Sequence, residues 1–332
     1  MKILKWGLIG YGEAAKKLFI DLSVRKNSII ECIASKSQYD FLSKKYPDIN
    51  IFNSYENLIK KNNLDIIYLS LINSLHYKFI KKIIQSNQNI LIEKPACIEF
   101  SQLVDIRDQL NKKQNLYFRE SILYLSHPII MNIFEIIKNE NIGNIVEIES
   151  NFGFNFKKKR FLFFLKKNNK KLFSKMLGGG SILNFGHYPL SAYKIFCEKF
   201  NKIKNIKKNI KIGYRGVDED SKLEIDFEKR AKFKTEVSLT RNLKSFLRIT
   251  GEYGNIFIEN PWVPLTNYEI LLEINGVKKI FKYHEKKSLW QLKIDCIEKD
   301  FNEGLKKPST IGTDIESSFE YMKLINIWKN SN

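Results

Sequence analysis

Apolar residues follow two rhythms along the chain. In the first third, short runs rich in Ile and Leu alternate with amphipathic stretches. The pattern predicts strands over residues 4–9, 29–34, 51–53, 65–71, 89–92 and 116–118, with helices between them. Runs that are apolar on both faces suit strands covered on both sides, and strand–helix alternation predicts a doubly wound parallel sheet. After a helix predicted over 128–137, the strands lengthen and alternate in polarity: 145–156, 210–214, 221–227, 232–240, 245–251, 254–258, 268–274 and 278–283. Turns such as the one at 251–254 join them, in antiparallel style. Two helices, 289–305 and 315–330, end the chain. The expected class is α/β, with a first domain over 1–120 and a second over 121–332.

Composition narrows the class. The chain has 332 residues, 43% of them hydrophobic, which suits two cores. No run of eighteen apolar residues occurs, so no membrane partner is expected. The opening MKILKWGLIGYG lacks a small-residue cleavage site and reads as a first strand, not a signal peptide. Cys32, Cys97, Cys197 and Cys296 are scattered, as are the four histidines, so reduced thiols, a cytoplasmic setting and no metal site are expected. The formal charge of +20 is nearly all Lys, spread among Asn and Ile, while Arg is sparse. Nucleic acid is therefore not the expected partner, although the charge favours an anionic substrate. The basic, aromatic-laced stretch 157–175 reads as a segment between a strand and a helix.

Three stretches carry candidate chemistry. The first strand runs into Gly10-Tyr11-Gly12-Glu13-Ala14-Ala15 and then a helix. In this G-x-G-x-x-A turn the first Gly permits the bend, the second admits a pyrophosphate to the backbone, and Ala15 lets helix and strand pack closely. The phosphates would meet free N–H groups at the helix start, so residues 10 to 14 are candidate dinucleotide contacts. The second strand ends in Ser35-Lys36, where an NAD-binding site usually places a carboxylate for the ribose 2′-hydroxyl. A hydroxyl and a cation suit a 2′-phosphate instead, although Lys36 also reads as one surface lysine among many. The fifth strand ends in Glu93-Lys94-Pro95, a charged pair where open α/β sheets take their ligands. Later, Gly178-Gly179-Gly180 opens a predicted helix carrying Asn184, His187 and Tyr188 among apolar neighbours, either a ligand site or a polar helix start.

With these motifs in hand, the chain resembles the glucose–fructose oxidoreductase / inositol dehydrogenase family, Gfo/Idh/MocA. The anchors are WGLIGYGEAA, the AS-K strand end, NSLHY, LIEKP, the His127-Pro128 after strand six, and GGGSILNFGHYPL. The resemblance implies a Rossmann domain followed by an α/β domain with a large, open, predominantly antiparallel sheet that forms homodimers or homotetramers. It implies hydride transfer between NAD(P) and a carbinol or keto carbon of a sugar or nucleotide-sugar. NADP(H) is the preferred cofactor by Ser35 and Lys36, with NAD(H) as the alternative. Alternative activities are those of a free aldose or trans-dihydrodiol dehydrogenase or, from another class, a non-catalytic NAD(P)-binding regulator. The resemblance also implies cofactor contacts at Leu71, Asn73, His76, Glu93 and Lys94, a cis Lys94–Pro95 bond, and substrate contacts at Lys94, His127, Asn184, His187 and Tyr188. Tyr188 matches the family's general acid/base and Lys94 its lysine. Asn184 stands where the family has Asp, and Leu125 where an Arg often precedes His-Pro.

Overall fold

The computed structural model describes residues 3–113, 115–157, 169–196, 202–228 and 231–330. It divides into two compact units: Met1–Ser126 with Leu289–Met322, and His127–Ser288 with Lys323–Asn332.

In the first unit, β1 (Leu4–Ile9), β2 (Ser28–Ala34), β3 (Asn50–Phe52), β4 (Ile66–Leu69), β5 (Ile90–Glu93) and β6 (Phe118–Ser121) form one sheet in the order β3-β2-β1-β4-β5-β6. Every neighbouring pair is parallel. Helices α1 (Glu13–Ser23), α2 (Tyr39–Lys45), α3 (Tyr55–Ile59), α4 (Asn73–Gln85) and α5 (Phe100–Lys112) make the crossovers. The order reverses between β1 and β4, which opens a crevice at the carboxyl ends of those strands. Helix α1 buries Ala15, Leu18, Phe19 and Leu22, one stripe of the helical period.

Two features of this unit differ from the hydrophobic reading. Strand β6 lies two to three residues further on, because the ladder pairs Ile90 with Phe118 and Glu93 with Ser121. Its Arg119, Glu120 and Ser121 are buried polar groups that a search for apolar runs passes over. The helix α9 (Leu289–Asn302) also belongs to this unit. Its Ile294 and Ile297 join the core of β1 and α1. Polar ties fix it there: Arg25 meets Asp295 at 2.5 Å, Ser28 donates to Glu298 at 2.6 Å, and the Tyr117 hydroxyl donates to Asp300 at 2.7 Å.

The second unit is built on β7 (Ile145–Gly153), β8 (Ile203–Ile212), β9 (Asp218–Phe227), β10 (Lys232–Ser238), β11 (Phe246–Gly251), β12 (Gly254–Glu259), β13 (Asn267–Ile274) and β14 (Val277–His284). Their order is β14-β13-β12-β11-β7-β10-β9-β8. The pairs are antiparallel except β7 with β10. The unit's helices are α6 (Ile129–Asn139), α7 (Ser181–Phe185) and α8 (His187–Phe196). Helix α8 packs on β7, and its Tyr193 ring stacks on Phe227 at 5.5 Å. The predicted single helix through Asn184 and Tyr188 is two, parted at Gly186, where any side chain would meet the Ile182 carbonyl oxygen at 2.4 Å. The last helix, α10 (Ile315–Asn330), runs from the first unit into the second. Most of the basic stretch, 158–168, lies outside the described residues. Among the described residues no helix is long and apolar enough to cross a membrane.

Candidate active site

The glycine turn has the geometry that its residue types require. Gly10 adopts φ 91°, and a side chain there would meet the Ser70 carbonyl oxygen at 2.3 Å. Gly12 precedes α1, and a side chain on it would touch nothing within 4 Å, so the backbone there lies open. Ala15 is fully buried. Glu13 is exposed and Ala14 half-buried. Open backbone at a helix start suits a pyrophosphate, so the turn fits a dinucleotide. Tyr11 points inward: its ring sits edge-on to Phe19 at 5.7 Å, its carbonyl accepts from Gln38, and burial raises its phenol. At the end of β2, Ser35 is buried and its N–H donates to the Phe52 carbonyl. Lys36 is exposed, with its ammonium 5.2 Å above the Tyr55 ring.

Leu71 and Asn73 are half-buried at the start of α4. His76 on the same helix is fully buried. Its Nδ1 lies 2.8 Å from the Pro95 carbonyl oxygen and its Nε2 3.1 Å from that of Leu71. The ring ties the loop after β4 to the turn after β5.

The Lys94–Pro95 peptide is cis, as the resemblance implies. Lys94 itself is half-buried. Beside it is Glu120 of β6, fully buried, which accepts from the Ala96 N–H at 2.8 Å. Burial pushes the Glu120 carboxyl up, against the opposing pull of Ser318, the Ala96 N–H and the Lys94 ammonium. Glu93 accepts from the Tyr68 hydroxyl at 2.6 Å and lies 3.7 Å from the ammonium of Lys293 on α9. Lys293 is 1% exposed, donates to Ser121 Oγ at 3.0 Å and sits 3.9 Å above the Trp290 ring. The ends of β5 and β6 therefore bring Glu93, Lys94 and Glu120 together with Lys293 reaching in from α9.

In the second unit the glycine run is shaped by Asp218, the first residue of β9. Its carboxylate accepts from Ser181 Oγ at 2.8 Å and from the Ile182 N–H at 2.6 Å, at the start of α7. Gly180 adopts φ 108°, and a side chain there would collide with Asp218 at 2.2 Å. Asn184 turns back on this run, its amide donating to the carbonyls of Gly178 and Gly180 at 3.1 and 2.8 Å. His187 is fully buried with Nδ1 3.1 Å from the Leu183 carbonyl oxygen. His127 is buried, edge-on to Tyr268 at 4.9 Å, and its Nδ1 accepts from the Ile129 N–H. Burial pushes its imidazole down to about 4, so the ring is neutral near pH 7. Tyr188 is half-buried. Its ring lies edge-on to Phe152 at 4.9 Å and 6.2 Å from Trp262.

The sequence motifs thus fall at three places: the phosphate turn, the end of β5, and the starts of α7 and α8. The motif reading passed over Glu120, Lys293, Tyr68 and Asp218. The run Asp218-Glu219-Asp220, three acids opening a strand, was a signal for the last of these. Lys293 has none, being one lysine in a lysine-rich chain.

Residues 4–121 match the family model described as the oxidoreductase family, NAD-binding Rossmann fold (GFO_IDH_MocA). The first domain of the chain thus resembles the NAD-binding domain of the Gfo/Idh/MocA family. The family model and the relatives together indicate an NAD(P)-dependent oxidoreductase. It is 23% identical over 282 residues to a trans-1,2-dihydrobenzene-1,2-diol dehydrogenase of Xenopus tropicalis, covering 83% of this chain and 80% of that one. It is 23% identical over 202 residues to an NADP(+) D-xylose 1-dehydrogenase of Hypocrea jecorina, covering 57% and 51%. Among solved structures, a 3-ketoreductase from Actinomadura kijaniata in complex with NADP and TDP-benzene superposes with a TM-score of 0.83. That match is 16% identical and covers 98% of this chain and 97% of the other, a likeness of fold.

Proposed function

We propose that this oxidoreductase interconverts an alcohol and a ketone or aldehyde on a sugar or nucleotide-sugar and prefers NADP(H). The observation that supports it most directly is Lys94: a half-buried lysine at the carboxyl end of β5, electrostatically linked to the buried Glu120. It shares its unit with a glycine turn open to a dinucleotide. Lys36, exposed where a carboxylate would favour NAD, supports the NADP preference.

A bound nicotinamide supplies or takes up the hydride. The chain's own groups do the rest. The Gly10–Gly12 turn and the start of α1 would hold the phosphates, and Lys36 would meet the 2′-phosphate. Lys94 stabilises negative charge on the reacting oxygen with its ammonium. Tyr188, in the second unit, is the candidate proton donor in reduction and proton acceptor in oxidation. Asn184, engaged with glycine carbonyls, shapes the run before α7 and supplies no carboxylate for the proton step.

An alternative substrate class, a free aldose or a trans-dihydrodiol, is supported by the aromatic surround of Tyr188, since rings and sugars both stack on aromatic faces. A non-catalytic regulator is the remaining reading. Self-association through the large sheet is supported by exposed Val277, Ile280 and Leu265 on and beside its edge strands. Light scattering of the purified chain tests that point.

The deciding experiment follows NADPH and NADH oxidation, and the reverse reactions, against D-xylose, a trans-dihydrodiol and a TDP-linked ketosugar. Turnover of one of these by the wild type should fall about 10²–10⁴-fold in Tyr188→Phe and by a comparable factor in Lys94→Ala. Full activity in Tyr188→Phe removes that residue from the mechanism. Equal affinity for NADPH and NADH, unchanged by Lys36→Ala, rules out the NADP preference. Dinucleotide binding without turnover of any carbonyl or carbinol favours the regulator.

A further inference from the structure

Lys293 is the least expected charge in the molecule. A lysine ammonium carries a large desolvation penalty when buried, and this one is 1% exposed on α9, distant in sequence from every motif. It reaches the end of β5, where Glu93 is 3.7 Å away, and is held by Ser121 Oγ on β6 and by the faces of Trp290 and Tyr68 at 3.9 and 5.0 Å. The Tyr68 hydroxyl donates to the same Glu93 carboxylate. Arg119 on β6 is the other cation near Lys293, and it is itself paired with Asp300. On α1, which packs on α9, Arg25 is engaged by Asp295 and Glu298. The 3-10 turn at Leu123–Ser126, also packed on α9, brings Tyr124, which faces Tyr321. Among these groups, Glu93 is the acid that Lys293 meets.

We propose that Lys293 is a positioning residue that sets the charge at the end of β5: its ammonium cancels the Glu93 carboxylate, so the strand end next to Lys94 is neutral toward a bound nicotinamide. This rests on the NADP(H) reading given above and deepens it. A nicotinamide ring is positively charged when oxidised and neutral when reduced. A bare Glu93 carboxylate at the carboxyl end of a sheet strand, where open α/β sheets take ligands, would favour the oxidised form. A neutralised one removes that bias. Burial and Arg119 push Lys293 down to about 7, so its charge changes within the physiological range.

The test needs no carbonyl substrate. The dissociation constants of NADP+ and NADPH are measured by fluorescence and calorimetry at pH 6 and pH 8.5 for the wild type, Lys293→Met and Lys293→Met/Glu93→Gln. The methionine keeps most of the stem volume. At pH 6 the single variant should shift the NADPH/NADP+ affinity ratio toward NADP+ by at least about fivefold, the effect of one unit charge at about 4 Å even at the dielectric of water. The double variant should return the ratio to the wild-type value, a rescue that a merely structural role for Lys293 would not give. Raising the wild type to pH 8.5 should move it toward the single variant, and the double variant should stay put. If Lys293→Met does not fold, the wild type and the double variant, which buries no unpaired carboxylate, still decide through their pH dependence. Binding with the same ratio in all forms and at both pH values overturns the proposal and leaves the NADP(H) reading standing. Failure of the wild type to bind either dinucleotide overturns both.

Discussion

The carboxyl ends of β5 and β6 and the open face of the eight-stranded sheet are made from the same residue types in opposite surroundings. At the strand ends, Glu93, Arg119, Glu120, Lys293 and Asp300 lie buried or half-buried and are held by polar contacts, with half-buried Lys94 among them. On the sheet, Glu147 with Lys234, Glu149 with Arg248 and Glu269 with Lys282 pair across neighbouring strands, with at least one partner of each pair over a third exposed. Water screens the second set and not the first. The same charged pair is therefore a solvated surface feature in one place and a strong constraint in the other.

The largest effect expected from this contrast is at Asp300. Its carboxylate accepts from the Tyr117 hydroxyl and the Ser309 N–H, and Arg119 Nη1 is 3.6 Å away, with both ionic side chains essentially inaccessible. Asp300→Ala leaves a buried guanidinium unpaired and should cost about 3–5 kcal/mol of stability. Urea denaturation measures it. A loss under about 1 kcal/mol would make this buried pair no different from a surface one and erase the contrast.

Lys293 sharpens the same comparison through pH. Its ammonium is pushed down to about 7 by burial, against an ordinary lysine value of 10.5 in the unfolded chain. Between those two values the unfolded chain keeps the proton and the folded one has lost it. The unfolded state then binds more protons, so stability rises as pH increases from about 7 toward 10. Below 7 both states are protonated and the slope vanishes. Urea midpoints of the wild type should therefore climb relative to Lys293→Met between pH 7 and pH 9. A difference that stays flat over that window would show that Lys293 titrates like a surface lysine.

The contrast also explains what the sequence made legible. Strands β1, β2, β4 and β5 are short, largely apolar runs, and the glycine turn and Glu93-Lys94-Pro95 announce themselves because backbone geometry there demands particular residue types. Strand β6 reads Phe-Arg-Glu-Ser, so its burial depends on partners contributed by distant segments: Ser318, Asp300 and Lys293. Local pattern holds no record of them. Strand β8 began at residue 210 in the sequence reading but starts at Ile203, because register shifts at both ends disrupt its alternation and its residues are largely exposed. The helix expected through Asn184 and Tyr188 is parted only at Gly186, which keeps right-handed helical angles and donates to the Ile182 carbonyl, so the interruption is local. The site was legible where it uses backbone, and illegible where it uses buried charge.

The smallest effect belongs to the open sheet face. Arg248 of β11 lies 3.1 Å from Glu149 of the neighbouring β7, and the register places the two directly opposite each other. Its guanidinium also covers the Phe246 and Phe257 rings at 5.7 and 5.5 Å. The geometry resembles that of a buried pair, but the Arg248 side chain is 45% exposed, so water competes for every contact. An exposed cross-strand pair of this kind contributes about 0.2–1 kcal/mol, and salt weakens it. Arg248→Ala should therefore lower the urea midpoint only slightly in low salt. Much of that loss should vanish in molar NaCl, leaving the part that comes from covering the two phenyl rings. The salt-insensitive remainder separates stem packing from charge. A loss as large as that of Asp300→Ala, or one indifferent to salt throughout, would mean that this face is covered in solution and that its charges are not bathed in water.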